Sequence, residues 1–210
     1  MTHDAVLDRL RAARVVPVIT IDDPSHAVPL ARALAAGGLA CVEITLRTPR
    51  AAEALQRICA EVPEIVAGAG TVLTPAQVRA ARDAGAQFIV APGLNARVVN
   101  ECKECAVPIY PGIATPTEIE AGLELGLDTL KFFPAEPMGG LAYLKAIAAP
   151  YVDVRFMPTG GISASNVASY LAFSRVVACG GSWMAPADRI AAKQFDWIEA
   201  EARRASGAAR

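Results

Sequence analysis

No block of one charge sign runs through this chain. Its 20 basic and 21 acidic residues are interspersed and leave a net charge of −1. Without a basic face there is no electrostatic reason to expect nucleic acid or an anionic membrane as a partner. No apolar run approaches the roughly 18 residues of a membrane-spanning helix. The N-terminal "MTHDAVLDRLRAARVV" lacks the charged start, apolar middle and small-residue cleavage site of a signal peptide. The five cysteines, Cys41, Cys59, Cys102, Cys105 and Cys179, are an odd number without framework spacing, which points to a reduced, cytoplasmic setting. "CKEC" (102–105) has zinc or redox spacing, but a second ligand pair is missing, and His3 and His26 lie far away in sequence. Two incidental cysteines and no metal are the reading that follows. Lysine is scarce as well, with only four in the chain.

What is abundant is core material. Of 210 residues 53% are hydrophobic, and the mean hydropathy is +0.34. The length suits one domain, residues 1–210, because no Ser/Gly-rich linker or low-complexity block divides it. Short β-branched runs alternate with Ala/Leu-rich helical stretches. The runs fall at 15–21, 40–46, 64–70, 87–93, 107–112, 129–135, 154–161 and 175–181. They are nearly continuous in hydrophobicity, as strands are when both faces of a parallel sheet are covered. Eight strand–helix units predict an α/β fold, a (β/α)8 TIM barrel, with residues 4–13 forming an additional N-terminal helix that closes its floor. Thr74 followed by Pro75 marks one helix start. The alternative is a doubly wound open sheet. Its dinucleotide fingerprint is missing from the first strand–helix turn, "TIDDPSHA".

In such a barrel, functional residues gather at the C-terminal ends of the strands. Period-two alternation places Glu43, Thr45 and Arg47 on one face of the second strand, and Lys131 and Phe133 on one face of the sixth. The third strand ends at Thr71, the fourth at Pro92-Gly93, the seventh in "TGG" (159–161) and the eighth in "GGS" (180–182). Lys131 stands in the apolar run "DTLKFFPAE" (128–136), and lysine is rarely buried without a partner. Burial disfavours the ammonium form. A neutral amine can attack a ketone to give a Schiff base, whose protonated imine accepts the electrons of a breaking C–C or C–H bond. Glu43 is the carboxylate available as general acid/base. The planar donor fork of Arg47 suits a substrate carboxylate, and Thr71 can donate to the same group. The glycine-rich ends of the last two strands suit a phosphate, with Ser163 and Ser182 as further donors. These residues imply a small phosphorylated keto acid as substrate.

Other readings compete. Glu43 and Lys131 could be a structural ion pair, although burying one is weak evidence for stability. The glycines could merely permit turns. A phosphate-binding isomerase or epimerase would use Glu43 as base and form no covalent adduct. A catalytically silent barrel would bind a phosphorylated metabolite without turnover.

"VEITLRTP" (42–49), "VAGAGTVL" (66–73), "FIVAPG" (88–93), "LKFFPAE" (130–136), "MPTGGIS" (157–163) and "GGSW" (180–183) resemble the 2-keto-3-deoxy-6-phosphogluconate (KDPG) and 4-hydroxy-2-oxoglutarate (KHG) aldolase family. The resemblance runs in order from about residue 15 to 190. It implies a class I lyase that reversibly cleaves 2-dehydro-3-deoxy-6-phosphogluconate to pyruvate and glyceraldehyde 3-phosphate, and in some members 4-hydroxy-2-oxoglutarate. It implies Lys131 as the Schiff-base lysine and Glu43 as the proton-transfer residue. Arg47 and Thr71 would hold the pyruvate carboxylate, and Pro92 and Phe133 would line the pocket. Gly160, Gly161 and Ser182 would lie near the phosphate. No cofactor, a homotrimer and a sugar-acid route of the Entner–Doudoroff type are further implications. Pro137 and Met138 in "PAEPMGG" depart from the family pattern, which bears on specificity more than on mechanism. An aldolase for the galactonate epimer is the alternative within the family.

Overall fold

The computed structural model describes residues 3–208. Helix α1 (His3–Ala13) precedes β1 (Val15–Ile19), and a 3-10 turn at Pro24–His26 leads into α2 (Ala27–Ala36). The repeat then runs β2 (Cys41–Thr45), α3 (Ala51–Glu61), β3 (Val66–Gly70), α4 (Pro75–Asp83), β4 (Ile89–Ala91) and α5 (Ala96–Glu104). It continues with β5 (Ile109–Ile113), α6 (Pro116–Glu124), β6 (Thr129–Phe132), α7 (Gly140–Ala148), β7 (Arg155–Pro158) and α8 (Val167–Leu171). Strand β8 (Cys179–Gly181) is followed by α9 (Ala187–Ala191) and α10 (Phe195–Ala208). The eight strands are parallel and ordered β7-β6-β5-β4-β3-β2-β1-β8. Isolated bridges Phe156↔Val176 and Thr159↔Gly180 join β7 to β8 and nearly close the ring.

Local chemistry explains the punctuation. Thr74 and Thr115 each accept from the backbone three residues on, and Gln77 and Glu118 reach back, so both form capping boxes with proline at the first helical position. The strands are shorter than the hydrophobic runs that predicted them. The run at 175–181 is a strand only over Cys179–Gly181, and that at 87–93 only over Ile89–Ala91. The remaining residues are as apolar as the strands because helices cover them, but they leave the ladder to turn into loops.

Side-chain alternation divides the core in two. Val15, Val42, Leu130 and Phe156 point outward into the layer between sheet and helices. Val16, Cys41, Val66, Phe88, Tyr110 and Met157 fill the interior, and Val6, Leu7 and Leu10 of α1 pack beneath them. The helix before the first strand is therefore the floor of the barrel. That packing leaves the C-terminal ends of the strands as the open end, where the site must lie.

Candidate active site

Of the buried polar side chains among the described residues, Glu43, Thr45, Thr129, Lys131 and Thr159, two are ionisable. Glu43 on β2 and Lys131 on β6 are only 3% and 6% exposed, and Nζ lies 3.8 Å from Oε1. That separation is a contact between charges with no direct hydrogen bond, in a medium where such contacts are strong. The Phe133 ring centroid is 4.9 Å from the same Nζ, a cation–π contact. The amine thus sits between one carboxylate and one aromatic face.

The alternation of "VAGAG" in β3 makes room for this pair. Beyond Val66 its inward positions, 68 and 70, are glycine, and β3 runs beside β2 with Glu43 in register with Gly68. A Cβ at Gly68 would stand 2.4 Å from the Phe88 ring, and one at Gly70 would stand 2.0 Å from Oε1 of Glu43. Gly70 therefore gives the carboxylate its place. Gly112, paired with Lys131, has the carbonyl of Pro92 where its own Cβ would be, 2.1 Å away. The end of β4 folds over β5 in this way and brings Pro92 beside the lysine strand.

Above the pair lies a cavity of about 370 Å³ at the mouth, bordered by Arg47, Phe133, Gly160, Gly161 and Ser182 among others. Arg47 donates from Nε to Oγ1 of Thr71 at 3.3 Å. Thr71 holds φ at +58°, a conformation a β-branched residue rarely adopts. Gly160 and Gly161 have φ of +97° and +80°, which removes any side chain from the turn after β7. Nine residues singled out in the sequence thus occupy one end of the barrel, though not one surface. Pro92, Thr71, Glu43 and Lys131 do not border this cavity, the last two lying in the buried layer below it.

Other residues of the site carry weaker sequence signals. Thr20 and Thr159 border the cavity, and Thr20 shares a 2.9 Å hydroxyl contact with Thr45. Period two from Val16 and Val18 would have found Thr20. Ser163, expected as a phosphate donor, is absent from the cavity wall; its N–H donates to Oδ1 of Asn166 at 2.8 Å, so it stabilises the loop. Glu136 accepts a hydrogen bond from the buried Tyr170 hydroxyl and packs where a Cβ of Gly161 would lie. Burial, and then the bond to Glu136, push the Tyr170 phenol above its ordinary value. Glu136 and Ala135 also donate from their backbone to Gly160 and Thr159. The segment after the lysine is therefore tied to the "TGG" turn.

Among the described residues no group of three His, Cys, Asp or Glu side chains could hold a metal ion. No described helix is long and apolar enough to cross a membrane. Burial pushes the thiols of Cys41, Cys102 and Cys179 up to about 12 and that of Cys59 to about 11.

Comparison with known proteins adds an independent line. The family model of KDPG and KHG aldolases matches residues 6–201. A 2-dehydro-3-deoxy-phosphogluconate aldolase of Treponema pallidum is 53% identical over 195 residues, 93% of each chain. A KHG/KDPG aldolase of Escherichia coli is 48% identical over 196 residues, covering 93% of this chain and 92% of that one. A solved KDPG aldolase from Legionella pneumophila, with pyruvate captured as a covalent carbinolamine, superposes with a TM-score of 0.91 at 38% identity, over 94% of this chain and 96% of that one.

Proposed function

This chain belongs to the KDPG and KHG aldolase family, and from that premise we propose that Lys131 and Glu43 carry a class I cleavage of 2-dehydro-3-deoxy-6-phosphogluconate to pyruvate and glyceraldehyde 3-phosphate. The observation that carries this assignment is the buried pair itself, a lysine 3.8 Å from a carboxylate beneath an open cavity. Glu43 is placed to take a proton from the ammonium, and the amine lone pair then attacks the C2 ketone. The carbinolamine loses water to give the protonated imine. When the C4 hydroxyl gives up its proton, the C3–C4 bond breaks and its electrons pass into the imine, leaving an enamine and the aldehyde. Protonation of C3 and hydrolysis then release pyruvate and restore the amine.

The remaining roles follow from position. Arg47, with Thr71 fixing its Nε, holds the substrate carboxylate, and Phe133 and Pro92 wall the pyruvate moiety. Gly160, Gly161 and Ser182 receive the phosphate at the other side of the mouth. A side-chain-free turn lets oxygens approach backbone N–H groups closely. The same site would cleave 4-hydroxy-2-oxoglutarate to pyruvate and glyoxylate without using the phosphate contacts. We assign residues 1–210 to one catalytic unit working as a cytoplasmic homotrimer; light scattering tests the assembly.

The deciding test is to add pyruvate and borohydride and measure intact mass. An adduct on Lys131, absent in Lys131→Ala, is expected, and no adduct at saturating pyruvate sinks the proposal. An isomerase using Glu43 as base would give no adduct. Because the imine supplies the electron sink, dialysis against EDTA should leave the rate unchanged, and a chelator-sensitive rate would count against this scheme.

A further inference from the structure

A second concave surface lies at the opposite end of the barrel, where α1 turns into β1. Its volume is about 580 Å³, larger than the roughly 370 Å³ at the mouth, and the two share no bordering residue. The packed interior around Val16, Val66, Phe88 and Tyr110 separates them. Four arginines, Arg11, Arg14, Arg155 and Arg175, border it against two carboxylates, Asp128 and Asp153.

The existing partners decide how much of this charge is spoken for. Arg155 faces Asp128 at 3.7 Å, and Arg11 is bonded to Asp8 at 3.2 Å. Arg175 donates Nη1 to the carbonyls of Ala148 and Tyr151, and Arg14 donates Nη2 to the carbonyl of Leu171 at 3.2 Å. Neither Arg14 nor Arg175 has a carboxylate partner among the described residues. Arg14 also holds φ at +58° and keeps a buried Nε without a hydrogen-bond partner. Carbonyl acceptors fix the orientation of a guanidinium and leave its charge uncancelled. Two such groups on one concave wall form a preorganised seat for an oxyanion, whose geometry matches their planar forks.

We propose that this cleft at the barrel floor binds a small multivalent oxyanion of the phosphate class, held by Arg14 and Arg175 with Arg155 at the rim. It is separate from the phosphate contacts assigned to the mouth and does not depend on them. The test is a titration of the isotope-labelled full-length protein with inorganic pyrophosphate, followed by amide chemical shifts. Saturable shifts are expected at Arg14, Ser174 and Val176, beside any at Gly160 and Ser182 from the mouth. Arg14→Gln should weaken the floor response at least tenfold and leave the mouth response unchanged. Asp153→Asn should tighten the floor response, and Arg155→Gln should weaken it if Arg14→Gln does not fold. Floor amides that stay still, or that move linearly without saturation, would overturn the proposal. So would a floor affinity unaffected by all the foldable variants.

Discussion

Replacing Gly70 by alanine should damage chemistry far more than stability. The added Cβ would stand 2.0 Å from Oε1 of Glu43 and 2.6 Å from its Cγ and Cδ, while ordinary contact begins at 3.4 Å, so the carboxylate must retreat by about 1.4 Å. The obstacle is one side chain, and no backbone atom is among the three nearest. Misplacing a catalytic group by ~1 Å can cost on the order of 10²-fold in rate. A fall in kcat of about that size is expected, with the borohydride-trapped pyruvate adduct still forming because Lys131 is untouched. Gly68→Ala is the matched control. Its Cβ would meet three atoms of the Phe88 ring between 2.4 and 2.5 Å, inside the packed interior. Overpacking of that kind costs about 1–3 kcal/mol, or roughly 3–10 °C in melting temperature. The readouts are steady-state cleavage coupled to pyruvate reduction, and thermal melts of both variants. A Gly70→Ala enzyme with wild-type kcat would refute the claim that the position of Glu43 limits proton transfer.

Thr71→Gly should keep its melting temperature within a few degrees, since relief of the φ +58° backbone offsets the greater freedom of glycine in the unfolded chain. Loss of the hydroxyl that fixes Arg47 should raise the KM for pyruvate in proton exchange about tenfold; an unchanged KM would remove Thr71 from carboxylate binding. Tyr170→Phe frees Glu136 beneath the "TGG" turn, so KM for the phosphorylated substrate should rise while pyruvate exchange is unaffected. Equal effects on both would mean a general loss of folding. Cys41, Cys102 and Cys179 have thiols raised from 9.0 to about 12, so the unfolded chain releases these protons first as pH rises. Their contribution to stability is complete below about pH 9 and is lost progressively towards pH 12. Urea midpoints should fall over that range, less steeply in Cys179→Ala, and parallel curves would exclude the thiol.

Much of the site was legible because a barrel strand has a period of two and an open end. Glu43 and Lys131 stood out as polar residues at interior positions of apolar runs, and the terminal glycines pointed to the same end. The "VAGAG" strand was harder. Its glycines read equally as turn residues until the Phe88 ring and the Glu43 carboxylate are seen in the space they leave. Ser163 was less legible, because a hydroxyl beside a glycine turn suits anion binding and loop closure alike; in the structure its N–H bonds Asn166 and its hydroxyl lies 2.9 Å from that of Ser165. Glu136 and Tyr170, 34 residues apart, carry no joint signal in the chain.

The order of strands and helices along the chain, the capped helix starts and the placement of an amine in an apolar run are local properties, and residue type and periodicity determined them. The 3.8 Å contact between β2 and β6 is different, because Glu43 and Lys131 meet only when the sheet curls into a barrel and faces them across its interior. The arginine-walled cleft has the same origin. Arg14 and Arg175 lie on segments far apart in sequence, and closure of β1 against β8 is what brings them to one surface. Periodicity decides which way a side chain points, and only closure decides what it meets.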